Sequence, residues 1–192
     1  MEDRKINKKK KLMTYGGVGL VLIILLLIIR SGGNKNNRNT SVLSNSNTSI
    51  NAPLVTKEIK REFSFPLRNS KKEEVSTLKF SIETVEIRNE ILVKGQRAQA
   101  VSGREFLIIN LKVTNNFSNA IQLSTKDYVR LAVNGNENEW LAPDIHNDPV
   151  EVQADSTKYT RVGFPVNSTD KDFILRVGEI NGSKETIKLE IR

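Results

Sequence analysis

The chain has 192 residues, a formal net charge of +8 and no cysteine. The lack of cysteine excludes disulfide bonds, thiolate metal sites, cysteine nucleophiles and the lipid-bearing cysteine of a lipoprotein. The positive charge is local: residues 1–38 contain nine Lys or Arg and two acidic residues, a balance of +7, whereas the rest of the chain contains 21 and 20, a balance of +1. This distribution argues against nucleic acid as a partner and favours a membrane surface.

Residues 12–29 form an uncharged, largely aliphatic run that follows a basic tail, residues 1–11. Eighteen helical residues span about 27 Å, close to the hydrocarbon thickness of a bilayer, so the run predicts one transmembrane helix. Six Lys or Arg precede the run and three follow it within residues 30–38. Because basic flanks resist translocation, we expect a single-pass protein of the cell membrane with a cytoplasmic N-terminus and an extracellular C-terminal domain. A signal peptide cleaved near Ser31–Gly33 is the alternative.

Residues 30–55 are rich in asparagine and serine and show no apolar periodicity. Such a segment cannot bury enough apolar surface to offset the entropy of ordering. It therefore predicts a disordered linker between the membrane helix and a domain formed by residues 56–192.

From residue 56 onward, apolar side chains recur at every second position, which indicates half-buried strands. Phe63–Phe65 predicts an edge strand that ends at Pro66. Glu105–Asn115 is the strongest strand pattern, and its second face is apolar at Phe106 and Ile108. The predicted inward positions are Leu78, Phe80, Ile82, Leu107, Ile109, Leu111, Val113, Val129, Leu131, Val133, Val162, Phe164, Val166, Phe173, Leu175, Val177, Ile187, Leu189 and Ile191.

Turn signals separate these segments, for example at Asn134–Asn136 and Asn181–Gly182. About seven short strands with regular turns and no helical periodicity are typical of an antiparallel sandwich. The sequence therefore predicts an all-β fold, an immunoglobulin-like antiparallel β-sandwich preceded by one N-terminal transmembrane helix. The last strand is expected to reach the last residue.

The segment Gly103–Asn116, GREFLIINLKVTNN, resembles the signature strand of a bacterial extracellular immunoglobulin-like domain family of unknown function. The segment Val152–Val166, which ends in Gly-Phe-Pro-Val, is similar to a second strand of that family. The family occurs on lipoproteins and membrane-anchored, antigen-like proteins. The resemblance covers residues 78–192 and implies a β-sandwich outside the cell, with no catalytic residues to carry over.

The polar segment around His146, the only histidine, is the first candidate site. Asp144, His146 and Asp148 could form a metal or acid–base centre, although a polar interstrand loop is the simpler interpretation, since a catalytic triad also needs a nucleophile. Asp144, Asn147 and Asp148 offer oxygens for calcium, but they lack the glycine and bidentate glutamate of a calcium loop.

A second cluster of acidic residues combines Asp170 with Asp172. Trp140 could stack on a sugar ring or could pack over the end of the sandwich.

None of these candidates displays a complete catalytic pattern, so the sequence predicts no catalytic residue, no cofactor, no metal site and no enzyme activity. We expect a non-catalytic interaction or structural module at the cell surface that binds a protein or a cell-envelope polymer. Edge strands and end loops, such as the segment Ala142–Val150, are the expected contact surfaces, since free strand edges invite pairing and function concentrates in loops. The alternative is a calcium- or glycan-binding surface or sensor domain.

Overall fold

The computed structural model describes residues 49–192, which form twelve β-strands and one short 3₁₀ helix. The predicted transmembrane helix, residues 12–29, and most of the predicted linker lie outside the described residues. Within residues 49–192, no helix has the length and apolar character needed to cross a bilayer. The elements are β1 (Val55–Arg68), β2 (Glu74–Arg88), β3 (Glu90–Val93), β4 (Gln96–Gln99), β5 (Arg104–Asn115), β6 (Ile121–Leu123), the 3₁₀ helix η1 (Thr125–Asp127), β7 (Val129–Ala132), β8 (Ile145–His146), β9 (Val150–Val152), β10 (Ser156–Asn167), β11 (Phe173–Val177) and β12 (Glu185–Leu189).

Two antiparallel sheets make up the sandwich. The larger sheet has the strand order β1-β2-β5-β10-β8, and the smaller has the order β12-β11-β7. Two further pairs, β3-β4 and β6-β9, accompany them. The predicted antiparallel β-sandwich is therefore confirmed for the described residues.

Alternating side chains from both sheets meet in one core. Phe80 of β2, Leu111 of β5 and Leu175 of β11 each have 0% exposure. Tyr128 joins the core aromatic rings, with ring centres 4.9 Å from Phe65 and 5.5 Å from Phe80. Burial of these apolar faces is the main term that holds the sheets together. Most of the predicted inward positions lie in this core, whereas Val133 and Ile187 are partly buried at its edge.

A β-bulge in β2 shifts the alternation by one residue. Ile82 pairs with Leu111 of β5 and Thr84 pairs with Asn110, which leaves Glu83 unpaired. The inward positions therefore continue at Val85 and Ile87, which have 0% and 1% exposure. Because side chains alternate between the two faces of a strand, one extra residue moves every later side chain to the opposite face of the sheet.

The β3–β4 hairpin covers part of the outer face of the larger sheet. Ile91 of the hairpin and Ile108 of β5 each have 1% exposure. The Arg161 guanidinium donates a hydrogen bond to the Leu92 carbonyl and so attaches the hairpin to β10. A Cβ at Gly163 would lie 2.5 Å from Ile108 Cδ1. The glycine therefore leaves space for the Ile108 side chain on the outer face of the sheet. This cover accounts for the burial of Ile108 on the outer face of β5.

Three sequence predictions need correction. The first strand begins at Val55 and runs through Pro66 to Arg68, because Pro66 lies on an edge strand, where a missing N–H costs little. The final strand ends at Leu189 rather than at residue 192. Five strands of two to four residues, β3, β4, β6, β8 and β9, are too short to show a reliable alternation and were missed.

Residues 49–54, at the C-terminal end of the predicted linker, form hydrogen bonds with the domain. Leu54 N–H donates to the Ile87 carbonyl at 2.8 Å, and Arg88 Nη1 donates to the Asn51 carbonyl at 3.0 Å. The Asn51 N–H donates to the buried Glu90 carboxylate. Residues 49–54 are therefore bound to β2 and β3 rather than free of the domain.

We call the end of the sandwich at which residues 49–54 are attached the near end, and the opposite end the far end. The near end contains residues 49–54, the end of β2 and the start of β5. The far end contains the turn between β1 and β2, residues 69–73, and the loop between β11 and β12, residues 178–184. Ion pairs align the sheets, with Lys57 Nζ 3.1 Å from Glu190 Oε2 and Arg68 Nη1 2.9 Å from Glu179 Oε1.

Candidate functional site

The segment Ala142–Val150, one of the expected contact surfaces, covers the edge of the larger sheet. Within it, Ile145–His146 forms β8 and pairs with Val162 and Gly163 of β10. The Asp144 N–H also donates to the Gly163 carbonyl at 3.1 Å. An uncovered strand edge invites pairing with other chains. The backbone of this segment therefore protects β10, and His146 lies on a short strand rather than in a loop.

Asp148 is used to hold the 3₁₀ helix η1 in place. Its Oδ1 accepts hydrogen bonds from Thr125 N–H at 2.7 Å and from the Thr125 hydroxyl at 2.6 Å. Its Oδ2 accepts a third hydrogen bond from Lys126 N–H at 2.9 Å. With a side-chain exposure of 5%, the carboxylate is withdrawn from solvent. Asp148 is thus a structural residue, joined to Pro149 by a cis peptide bond.

His146, Asp148 and Thr125 do not have the geometry of a catalytic triad. Asp148 lies between the other two residues, with Oδ2 3.4 Å from His146 Nδ1. In a triad the histidine lies between the carboxylate and the hydroxyl, so that it can take the hydroxyl proton. Moreover, Thr125 has 0% exposure, and His146 Nδ1 accepts a hydrogen bond from Asp148 N–H at 3.2 Å.

In the second predicted cluster, Asp170 with Asp172, Asp170 directs its carboxylate at neighbouring N–H donors, whereas Asp172 is exposed. Asp170 accepts hydrogen bonds from Asn167 N–H at 2.8 Å and from Asn134 Nδ2 at 3.1 Å. Burial opposes ionisation of Asp170, but these hydrogen bonds and nearby Arg104 outweigh it and lower the pKa of the carboxyl below its ordinary value. These N–H donors already engage the oxygens with which Asp170 could bind calcium. Within residues 49–192, no three acidic or histidine side chains are grouped to hold a metal.

Trp140 lies half-buried beside the smaller sheet and stacks with Arg176 of β11. The guanidinium carbon of Arg176 lies 3.7 Å from the centre of the Trp140 ring. At this distance the cation is attracted by the electrons of the ring face. One face of the ring is therefore occupied by a side chain of the same domain.

A polar cleft of about 510 Å³ opens at the far end. The far-end cleft is lined by Arg68, Gln122, Leu123, Ser124, Asp127, Tyr128, Glu179, Ile180, Asn181 and Gly182. The Arg68–Glu179 ion pair forms part of its wall. Burial and the carboxylates of Glu179 and Asp127 raise the pKa of the Tyr128 phenol above its ordinary value.

A smaller pocket of about 240 Å³ adjoins this cleft and shares Asp127, Tyr128 and Ile180 with it. We call it the basic pocket; its other lining residues are Arg130, Trp140, Arg176, Gly178 and Lys184. Arg130 and Arg176 are direct cross-strand partners on β7 and β11. Three cations and one carboxylate therefore surround a small volume.

Sequence reasoning identified Trp140 in this region but missed the three cations. Arg130 and Arg176 alternate with the inward residues of their strands, which shows that they face outward. The two arginines are 46 positions apart in the chain but directly opposite each other in the sheet. No local sequence pattern predicts this pairing, because strand pairing depends on contacts between residues remote in sequence.

No protein-family model and no curated protein sequence matches this chain. Among solved structures, an uncharacterized β-sandwich protein from Clostridium difficile 630 aligns with 16% identity and a TM-score of 0.47, covering 59% of this chain and 85% of its own. A conserved hypothetical protein from Bacillus anthracis aligns with 16% identity and a TM-score of 0.42, covering 69% of this chain and all of its own. Classification of the present chain as a β-sandwich of unknown function rests on its own strands and core.

Proposed function

We propose that the protein is a membrane-anchored, extracellular, immunoglobulin-like β-sandwich that acts as a non-catalytic interaction module at the cell surface. Its partner is a protein or a cell-envelope polymer, bound at the far end. The observation that carries this proposal is the opposite placement of the N-terminal segment and the far-end cleft. Residues 49–54 are attached at the near end, whereas the cleft and the basic pocket lie at the far end.

The geometry supports presentation away from a membrane. The predicted anchor, residues 12–29, precedes the near end in the chain. β1 then runs from Val55 at the near end to Arg68 at the far end. Fourteen strand residues span about 45 Å, at roughly 3.3 Å per residue. A domain held by its near end would expose the far-end cleft to partners outside the cell.

Support for a non-catalytic role comes from how the acid–base candidates are used. His146 is the single histidine in the sequence, and its Nδ1 accepts a hydrogen bond from its own segment. The carboxylates of Asp148 and Asp170 accept hydrogen bonds that shape loops. A general base must reach the proton that it abstracts, and the Asp148 and Asp170 carboxylates are engaged within the fold.

The topology can be tested by cysteine labelling, because the natural chain contains no cysteine. Ser70→Cys places a thiol in the exposed far-end turn, and Asn7→Cys places one in the basic tail. A membrane-impermeant maleimide added to intact cells is expected to label only the Ser70→Cys protein. Labelling of the Asn7→Cys protein, or of neither protein before permeabilisation, would overturn the proposed orientation.

The interaction surface can be tested by photocrosslinking on intact cells. A photoreactive residue at exposed Asn181, beside the cleft, is expected to capture a defined partner. The matched control is the same residue at Val101, which is 71% exposed in the near-end turn. Equal capture from both positions, or none from Asn181, would refute a far-end binding surface. Turnover of ester, peptide or glycoside substrates by the purified chain would refute the non-catalytic role.

A further inference from the structure

We propose that the basic pocket binds a phosphate monoester carried by a small sugar or polyol. This inference deepens the proposed interaction role and rests on it, since it names the chemistry of the ligand at the far end. The charges, the free donors and the size of the pocket support this assignment.

The first observation is an excess of positive charge without acidic partners. Arg130, Arg176 and Lys184 line the pocket, and none of them forms an ion pair among residues 49–192. Asp127 is the one acidic residue in the lining. The formal balance is therefore +2. A phosphate monoester carries about −1.5 to −2 at neutral pH and matches this balance.

The second observation is that the two arginines face each other in the sheet. Arg130 and Arg176 are direct partners in the β7–β11 register. Like charges at directly opposite positions destabilise a sheet. A bound anion between them converts this repulsion into attraction, so the arrangement favours an occupied pocket over an empty one.

The third observation is that the cations are held in place while keeping donors free. Arg130 Nη1 donates to the Lys126 carbonyl at 2.6 Å and to the Val129 carbonyl at 2.8 Å, and no bond to its Nη2 occurs within residues 49–192. Arg176 is held by the Trp140 ring. Guanidinium groups present several N–H donors in a plane, a geometry that matches phosphate oxygens.

Gly178 sets the position of the third cation. A Cβ at Gly178 would lie 2.3 Å from the Ser183 carbonyl oxygen and 3.0 Å from Lys184 Cα, so only glycine permits this approach. Lys184 Nζ is further held by the Ile180 carbonyl at 2.8 Å. The close approach brings residues 183–184 against the end of β11 and places the ammonium group at the pocket.

The volume limits the ligand to a small group. Pockets for whole drug-sized molecules usually measure about 300–1,000 Å³, and this pocket measures about 240 Å³. It accommodates a phosphate with a few attached carbons and is too small for a nucleotide. Trp140 adds an apolar wall against which the carbon chain of a sugar or polyol can pack.

The test is a titration of the full-length chain in nanodiscs of phosphatidylcholine, followed by calorimetry and by fluorescence of Trp140, the single tryptophan. Glycerol 3-phosphate is the probe, with glycerol and inorganic phosphate as comparison ligands. Saturable binding of one glycerol 3-phosphate per chain is expected, with no binding of glycerol. Binding of inorganic phosphate but not of the ester would overturn the assignment.

Matched variants separate the pocket from the basic N-terminal tail. Arg130→Gln and Lys184→Gln are expected to weaken binding at least tenfold, and Lys158→Gln, an exposed cation on β10, is expected to leave binding unchanged. Equal affinity in all three variants, or no saturable binding by the natural chain, would overturn the proposal. Because Lys184 is exposed, its replacement keeps the test valid even if Arg130→Gln does not fold. Phosphate binding is measured on purified protein, so its failure is distinct from a failure of the cell-surface labelling.

Discussion

The Thr125 hydroxyl donates a hydrogen bond to the Asp148 carboxylate across 2.6 Å and ties η1 to the segment before β9. Asp148 was a candidate ligand in the sequence, but three N–H and O–H donors converge on it from one turn. Capping of a short helix by a buried carboxylate is therefore its role.

Asp148→Ala is expected to lower the free energy of unfolding by about 2–3 kcal/mol, because it leaves the buried Thr125 donors without an acceptor. Asp144→Ala is the matched control, since Asp144 is exposed, and it should change stability by no more than about 0.5 kcal/mol. Urea unfolding measures both. Similar small effects for the two variants would contradict the structural role of Asp148.

Asn115 should be among the most sensitive polar residues. Its side chain has 0% exposure, and its Nδ2 lies within hydrogen-bond distance of the carbonyls of Asn119, Val152 and Gln153 at 2.9, 3.2 and 2.9 Å. Asn115→Asp replaces this donor with a carboxylate that faces carbonyl oxygens. A loss of roughly 3 kcal/mol of unfolding free energy is expected. The control is Asn116→Asp at the neighbouring exposed position. An equal loss of unfolding free energy in that variant would contradict the structural role of the Asn115 side chain.

Asp170 should make stability depend on pH on the acid side. Because hydrogen bonds lower the pKa of Asp170 in the folded state, its ionised form stabilises the fold above the unfolded pKa of about 3.9. That contribution is lost as the pH falls through the folded pKa. The stability difference between the natural chain and Asp170→Asn should therefore be constant from about pH 7 to 5 and shrink below about pH 4. Urea unfolding at several pH values measures it, and a difference independent of pH would contradict the prediction.

Gly178→Ala should affect both stability and the basic pocket. Its Cβ would meet the backbone of Ser183 and Lys184, which cannot move without displacing the turn. We expect a loss of about 1–3 kcal/mol in unfolding free energy and weaker binding of glycerol 3-phosphate. Gly182→Ala is the control, because the three atoms nearest to its Cβ all belong to the Glu179 side chain, the closest being Cβ at 3.1 Å. Thermal unfolding and calorimetry compare the two, and equivalent behaviour would argue against a positioning role for Gly178.

Much of the sandwich could be predicted from local alternation. Val162, Phe164 and Val166 follow the period of two, and all three are buried in β10. The turn at Asn134–Gly135 was also recognisable, and both residues have positive φ angles of 55° and 65°. These features depend on neighbouring residues, so a single sequence displays them.

The exact site of the bulge and the short strands could not be predicted in the same way. The apolar positions of β2 change parity between Ile82 and Val85, but only the pairing with β5 shows that Glu83 is the extra residue. A strand of two residues such as β8 has no period at all and exists because β10 offers a free edge. Such features form only when the partner strand is already in place.

The same distinction between local and tertiary features applies to the candidate site. The amino-acid sequence by itself determined the all-β class, most inward-facing residues and the concentration of charge before residue 39, because composition and periodicity are local properties. Only the tertiary structure decided that Asp148 and Asp170 support loops and that Arg130, Arg176 and Lys184 line one pocket beside Trp140. The physical reason is that strand register and sheet packing join residues far apart in the chain, and the electrostatic role of a side chain depends on the partners that this packing provides.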